Sequence, residues 1–77
     1  MTIIFNQEVD ASGLNCPLPI LRAKKMLSTM ESGQVLQVKA TDPGSQRDFE
    51  AFAKYTGNTI LKSWVEDKTF FFLMQRR

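Results

Sequence analysis

The chain has 77 residues, 43% of them hydrophobic, and sets ten Lys and Arg against eight Asp and Glu for a net charge of +2 with no histidine. That length fits one domain near the lower limit of a self-supporting core, and the hydrophobic content excludes a disordered chain. The mild charge makes no case for nucleic-acid binding, and a single cysteine excludes an internal disulfide framework.

Further classes fall on the same grounds. No apolar run is long enough to span a bilayer, and residues 1–20 lack a basic-then-apolar leader pattern. The expectation is a cytoplasmic protein whose lone thiol stays reduced. Without histidine there is no Cys–His catalysis. One cysteine cannot build a zinc site without carboxylate help, so no metal or cofactor is expected.

Residues 3–9 alternate loosely, with Phe5 and Val9 on one side and Asn6, Glu8 and Asp10 on the other, which predicts a first strand. Gly13 permits the turn that follows, and Leu14 is placed to plug the core beneath it. Then comes the stretch Leu14-Asn15-Cys16-Pro17-Leu18-Pro19-Ile20, which holds the only cysteine and two of the three prolines. Pro17 fits the first position of a helix, where a missing N–H costs nothing and the fixed φ suits the turn. The spacing of Ile20, Ala23, Leu27 and Met30 predicts the buried stripe of a helix over residues 17–30, ended by Glu31-Ser32-Gly33.

A thiol just before a helix start lies near unpaired N–H groups and the positive end of the dipole, which favours the nucleophilic thiolate. Pro17 and Pro19 remove two donors, leaving the Leu18 and Ile20 N–H groups near the sulfur. No acid lies between Ala11 and Met30, whereas Arg22, Lys24 and Lys25 do. These features predict a lowered thiol pKa, though not an extreme one. The plainer reading of a lone cysteine is a buried, inert hydrophobe. Leu18 and Arg22 point away from the buried stripe. Leu18 is therefore expected to be exposed beside the sulfur, with Arg22 and Lys25 along the same face. Those charges read either as a solvated basic face or as a docking surface for an acidic partner with Leu18 as its apolar contact.

Residues 34–40 alternate Leu36, Val38 and Ala40 against Gln37 and Lys39, a half-buried strand. Asp42-Pro43 repeats the first device, with Asp42 as N-cap and Pro43 as first helical residue. Phe49, Phe52, Ala53 and Thr56 mark the buried face of a second helix that stops at Gly57-Asn58. Arg47 and Asp48 in its first turns read as surface charge or a local bridge, structural rather than catalytic. Residues 59–66 and 69–76 form a hairpin turning near Asp67-Lys68. Phe70, Phe72 and Met74 are assigned to the helix side, Phe71 and Leu73 to the opposite face, and Trp64 fits either. An apolar patch on that uncovered face would be a partner or self-association surface, unless Lys62, Gln75 and their neighbours shield it.

The order β-α-β-α-β-β, with right-handed crossovers, places two helices on one face of a four-stranded mixed sheet. Residues 1–77 thus read as a single α/β (α+β) domain, a two-layer sandwich with no internal repeat.

The run Asp10-Ala11-Ser12-Gly13-Leu14-Asn15-Cys16-Pro17-Leu18-Pro19 resembles the signature of the small TusA/SirA-like sulfur-carrier proteins, whose mark is Cys-Pro-x-Pro. The similarity continues through Ala40-Thr41-Asp42-Pro43-Gly44-Ser45-Gln46-Arg47-Asp48-Phe49 and spans about residues 9–76. The resemblance implies a fold similar to the C-terminal domain of a bacterial translation initiation factor, with the last strand antiparallel to the others. It implies that Cys16 accepts sulfane sulfur as a persulfide from a cysteine desulfurase or rhodanese-like donor. The sulfur would then pass to an acceptor protein serving tRNA thiolation, molybdenum-cofactor pathways or sulfur oxidation. Around Cys16, the motif and partner-docking candidates are Pro17, Leu18, Pro19, Arg22 and Lys25, with Gly13 structural near the site, and the resemblance implies that the block holding Asp42, Pro43, Arg47 and Asp48 helps frame the surface near the cysteine. Leu18 departs from those relatives that carry an acid at the x position.

The residues agree with such a mechanism. A thiolate can attack a donor persulfide and keep its terminal sulfur until a partner thiolate removes it. With no second cysteine, the persulfide cannot collapse into an internal disulfide. A sulfurtransferase acting as a monomer or weakly self-associating carrier is the expectation, with no membrane or direct nucleic-acid contact. Its rivals are a nucleic-acid-binding module, on the basic first helix, and a non-catalytic regulatory domain using the open sheet face.

Overall fold

The computed structural model describes residues 5–77. Its elements are β1 (Gln7–Ala11), α1 (Leu18–Ser28), β2 (Val35–Ala40), α2 (Ser45–Thr56), β3 (Thr59–Glu66) and β4 (Thr69–Gln75). The strands form one sheet in the order β1-β2-β4-β3. β1 and β2 run parallel, and β4 is antiparallel to both β2 and β3. The α+β architecture, the mixed sheet and the antiparallel last strand are those expected. The first strand is set later than expected, at Gln7–Ala11, and the part of the expected strand on residues 3–4 lies outside the described residues.

Alternation decides which side of each strand packs. Val9 and Ala11 pair with Val38 and Ala40, which in turn face Phe72 and Phe70 across β4. Val9, Leu36, Val38, Phe72 and Met74 form the sheet half of the core, and Ala23, Leu27, Met30, Phe49 and Ala53 form the helix half. Both helices therefore lie on one face, as the two crossovers require. Phe49 is fully buried and stacks on Phe72 with ring centroids 4.7 Å apart. Burying such a ring contributes about 2–3 kcal/mol, so this pair pins α2 to the middle of the sheet.

The second helix begins later than expected. Gly44, not Asp42, occupies its N-cap, no side chain caps it, and Pro43 lies in the turn before it. The Asp42 carbonyl instead accepts a hydrogen bond from the Ser45 N–H at 2.9 Å, closing a turn that Pro43 starts well. At the other end Gly57 adopts φ 81° and its N–H bonds the Ala53 carbonyl, the left-handed stop expected there. The hairpin turns on Asp67 and Lys68, both with positive φ (47° and 68°), as a two-residue turn matched to strand twist requires.

The uncovered sheet face shields itself. Register places Trp64 there, opposite Phe71, with Lys62 opposite Leu73. Trp64 and Phe71 stack nearly parallel at 5.1 Å. Lys39 Nζ stands 5.9 Å from the Phe71 ring centroid and Lys62 Nζ 5.3 Å from that of Trp64. Beneath this row Leu73 is only 3% exposed, although no helix covers it. The lysine stems and stacked rings do the work of a second layer.

Candidate functional site

The ends of β1 and β2 lie side by side in a parallel pair, with Ala11 opposite Ala40. Each strand leads through a short loop into a helix, so the two helix starts open on the same edge of the molecule. The loops are tied together: the Gly13 N–H donates to Thr41 Oγ1 at 2.9 Å. Gly13 does this at φ 80°, a conformation that a Cβ would penalise. On the β1 side the Ser12 N–H donates to Asp10 Oδ1 at 3.0 Å. Bonding from Ser12 holds the Asp10 carboxyl below the ordinary carboxylate range. Leu14 packs against the core from below, as expected.

Cys16 is a free, exposed thiol, which excludes the buried, inert reading. The Cys16–Pro17 peptide bond is cis. Pro17 is not the first helical residue. It sits at the cap position with φ −99° and ψ 16°, and α1 begins at Leu18 with Pro19 in its first turn. A proline there still loses nothing, because first-turn N–H groups have no partner within the helix.

The expected lowering of the thiol pKa is overturned. The Cys16 pKa is raised, first because the thiol takes the Asp48 carboxylate as hydrogen-bond acceptor, then through desolvation and the negative charges of Asp48 and Asp42. Ionising the sulfur would add a third negative charge to those of Asp48 and Asp42. The helix tip is also weaker than expected as a counterweight. The Leu18 N–H, counted as free to face the sulfur, donates to the Asn15 carbonyl at 2.8 Å. The acid-free window from Ala11 to Met30 is real in sequence, but the fold brings in carboxylates from the second helix start.

The other expected site residues separate into three groups. Leu18 is 47% exposed next to the sulfur-bearing loop, and with Arg22 and Lys25 it lines a groove of about 700 Å³ between α1 and β1. Leu21, 51% exposed, also lines that groove and was not singled out from sequence. Its signal was its place three residues after Leu18 on the same helix face. Pro19, expected to help dock a partner, is buried and can only pack. A helix residue one step round from Leu18 turns by about 100° and meets the core.

The third group frames the site unevenly. Gly13 and Asp42 hold the two loops by the bonds given above. Asp48, expected to be structural, is the first cause of the raised Cys16 pKa. Arg47 is exposed. Pro43 is exposed in the turn. Among the described residues no cluster of three potential metal ligands exists, and no helix is long and apolar enough to cross a membrane.

The sequence and the fold are similar to those of known proteins. The family described as sulfurtransferase TusA matches residues 7–76. The sulfur carrier protein TusA of Allochromatium vinosum is 65% identical over 72 residues, covering 94% of this chain and 95% of that protein. A putative sulfur carrier protein of Neisseria meningitidis is 47% identical over 94% of this chain and 97% of its own. Among solved structures, the SirA-like protein of Desulfitobacterium hafniense superposes with a TM-score of 0.80 at 26% identity, covering 91% of this chain and 96% of that one.

Proposed function

The chain belongs to the TusA family and is a sulfur carrier, and from that premise we propose that Cys16 is the residue on which the sulfur travels, as a persulfide. The observation that carries this reading is the exposure of Cys16 in a chain whose only cysteine it is. A carrier works between a donor and an acceptor. In the loading step the Cys16 sulfur attacks the terminal sulfur of a donor persulfide, the donor S–S bond breaks, and the donor cysteine leaves as thiol. The balance is Cys16–SH plus donor–S–SH giving Cys16–S–SH plus donor–SH, with no external oxidant or reductant. Unloading is the same exchange onto an acceptor thiol.

A cysteine desulfurase or a rhodanese-like protein suits the donor role, and tRNA thiolation, molybdenum-cofactor assembly and sulfur oxidation are the acceptor routes of this family type. A lone carrier thiol that must stay reduced suits the cytoplasm. The groove beside the sulfur, with Leu18 and Leu21 flanked by Arg22 and Lys25, supports docking of a partner along α1. A nucleic-acid reading draws no support from the open sheet face. Trp64 and Phe71 cover one another there and each carries a lysine, whereas base stacking needs free ring faces.

Intact-mass measurement after incubation with a cysteine desulfurase and cysteine tests the proposal. The expected product gains one sulfur atom that maps to Cys16 and is lost on reduction. A gain that persists in Cys16→Ser would refute it.

A further inference from the structure

At the end of the molecule away from Cys16, three cations line one pocket of about 240 Å³. They are Lys24, Arg76 and Arg77; no acidic side chain joins them, and Leu27 and Phe52 supply an apolar floor. Arg76 is half-buried, and its Nε–H donates to the Leu27 carbonyl at 2.8 Å. That bond fixes the guanidinium and leaves its Nη donors for another acceptor. The Arg77 N–H donates to Asn58 Oδ1 at 2.8 Å, and Asn58 Nδ2 donates to Thr56 Oγ1 at 2.8 Å. The Arg77 side chain lies against Gly57, where a Cβ would come within 2.9 Å of Arg77 Cδ. Both arginines are thus held in place by the helix ends beneath them.

Those helix ends do not account for all of the charge. A helix C-terminus favours a nearby cation, and the last turns of α1 and α2 already carry Lys25 and Lys54. Arg76 serves α1 as well, through the Leu27 carbonyl. Lys24 and Arg77 are in excess of that task. The one ion pair among the described residues joins Lys39 to Glu8, so none of the three cations is paired there. Like charges that line one pocket repel, and an anion between them relieves the repulsion.

We propose that this pocket is a second binding site, for the dianionic phosphate of a small phosphomonoester, held by Lys24, Arg76 and Arg77. Charge sets the class, because three cations and no acid suit a doubly charged group better than the singly charged diester of a nucleic-acid backbone. Arginine offers a planar fork to phosphate oxygens, and lysine adds a point charge. Size sets the rest. A volume of about 240 Å³ falls below the roughly 300–1,000 Å³ of pockets for drug-sized ligands, so the site takes a phosphate and a small group attached to it. The site stands apart from the sulfur. Leu27 follows Leu18 along α1 by about 14 Å at 1.5 Å per residue. β4 brings Arg76 and Arg77 to the start of β2, where Gln75 pairs with Val35, whereas the Cys16 loop leaves the other end of β1, where Ala11 pairs with Ala40. The proposal therefore does not depend on the role of Cys16, and an occupant leaves the thiol open.

The test titrates the full chain, labelled with nitrogen-15, with methyl phosphate and with dimethyl phosphate at constant ionic strength. The probes are close in size, but above pH 7 the first is mostly a dianion and the second a monoanion. Methyl phosphate should shift the backbone amides of Ser28, Asn58 and Arg77 along a saturating curve. A unit charge at about 4 Å changes binding about fivefold even in water, so dimethyl phosphate should bind at least about fivefold more weakly. Arg77→Gln and Lys24→Gln, both at exposed positions, should each weaken methyl phosphate by a similar factor. Lys62→Gln, on the open sheet face, should leave it unchanged. Shifts that grow linearly without saturating, equal affinity for the two probes, or an affinity that neither Arg77→Gln nor Lys24→Gln moves would overturn the proposal. Loss of binding in Lys62→Gln as large as in those variants would overturn it too, by showing attraction to net charge alone.

Discussion

The two helix starts look alike in sequence and do opposite things in the fold. Each follows a parallel strand, and each carries a proline where a helix is due to begin. The first holds an exposed sulfur in a run rich in Arg and Lys; the second holds two acids and no reactive group. Read one at a time, the first predicts an electropositive thiol and the second a capped helix. Side by side on adjacent strands, the second sets the chemistry of the first: Asp48 and Asp42 raise the Cys16 pKa despite the helix dipole behind it. A helix tip favours an anion by only about 0.3–1 kcal/mol when exposed, and at Cys16 the net shift runs the other way.

The sharpest break in this pairing removes the sulfur. Cys16→Ser should abolish sulfur loading by a cysteine desulfurase while leaving the fold intact, as circular dichroism would check. Next in size is the anchor of the second helix start. Phe49→Ala removes the ring stacked on Phe72 and should cost about 3–5 kcal/mol, much of the total stability of so small a domain. Chemical denaturation would measure it as a lower midpoint with little change in slope.

A subtler change acts on the first helix start. Gly13→Ala meets no neighbouring atom within 4 Å, yet must hold φ 80°, so a loss of about 1–2 kcal/mol is expected. Denaturation midpoints would show it, and midpoints equal to wild type would mean the loop had relaxed. The smallest effect concerns Asp10, whose carboxyl sits below its ordinary range through bonding from Ser12. A depressed acid contributes stability above its unfolded pKa and loses it as pH falls through the folded one. Asp10→Asn should therefore flatten the stability profile slightly on the acid side of the ordinary carboxylate range, with no change at neutral pH beyond the lost charge.

Most of the architecture was legible in the chain, because periodicity reports burial directly. The stripe Ala23, Leu27 and Met30, the alternation of Leu36, Val38 and Ala40, and the sorting of Phe70, Phe72 and Met74 from Phe71 and Leu73 all follow from spacing. What sequence missed depends on contacts between distant segments. The second helix start moved because Asp42 closes a turn through its carbonyl rather than capping through its side chain. Leu73 is buried on the face that no helix covers, between Gln37 and Lys62, a placement that only strand register supplies. Asp48 lies 32 positions from Cys16, and only the parallel pairing of β1 with β2 brings their loops together.

The dependence of one helix start on the other is tested most directly by titrating the Cys16 thiol, following thiolate absorbance against pH in the wild type and in Asp48→Asn. The account predicts a wild-type midpoint above that of an ordinary cysteine and a lower midpoint in the variant. A wild-type midpoint at or below the ordinary value, or one that Asp48→Asn leaves in place, would contradict it.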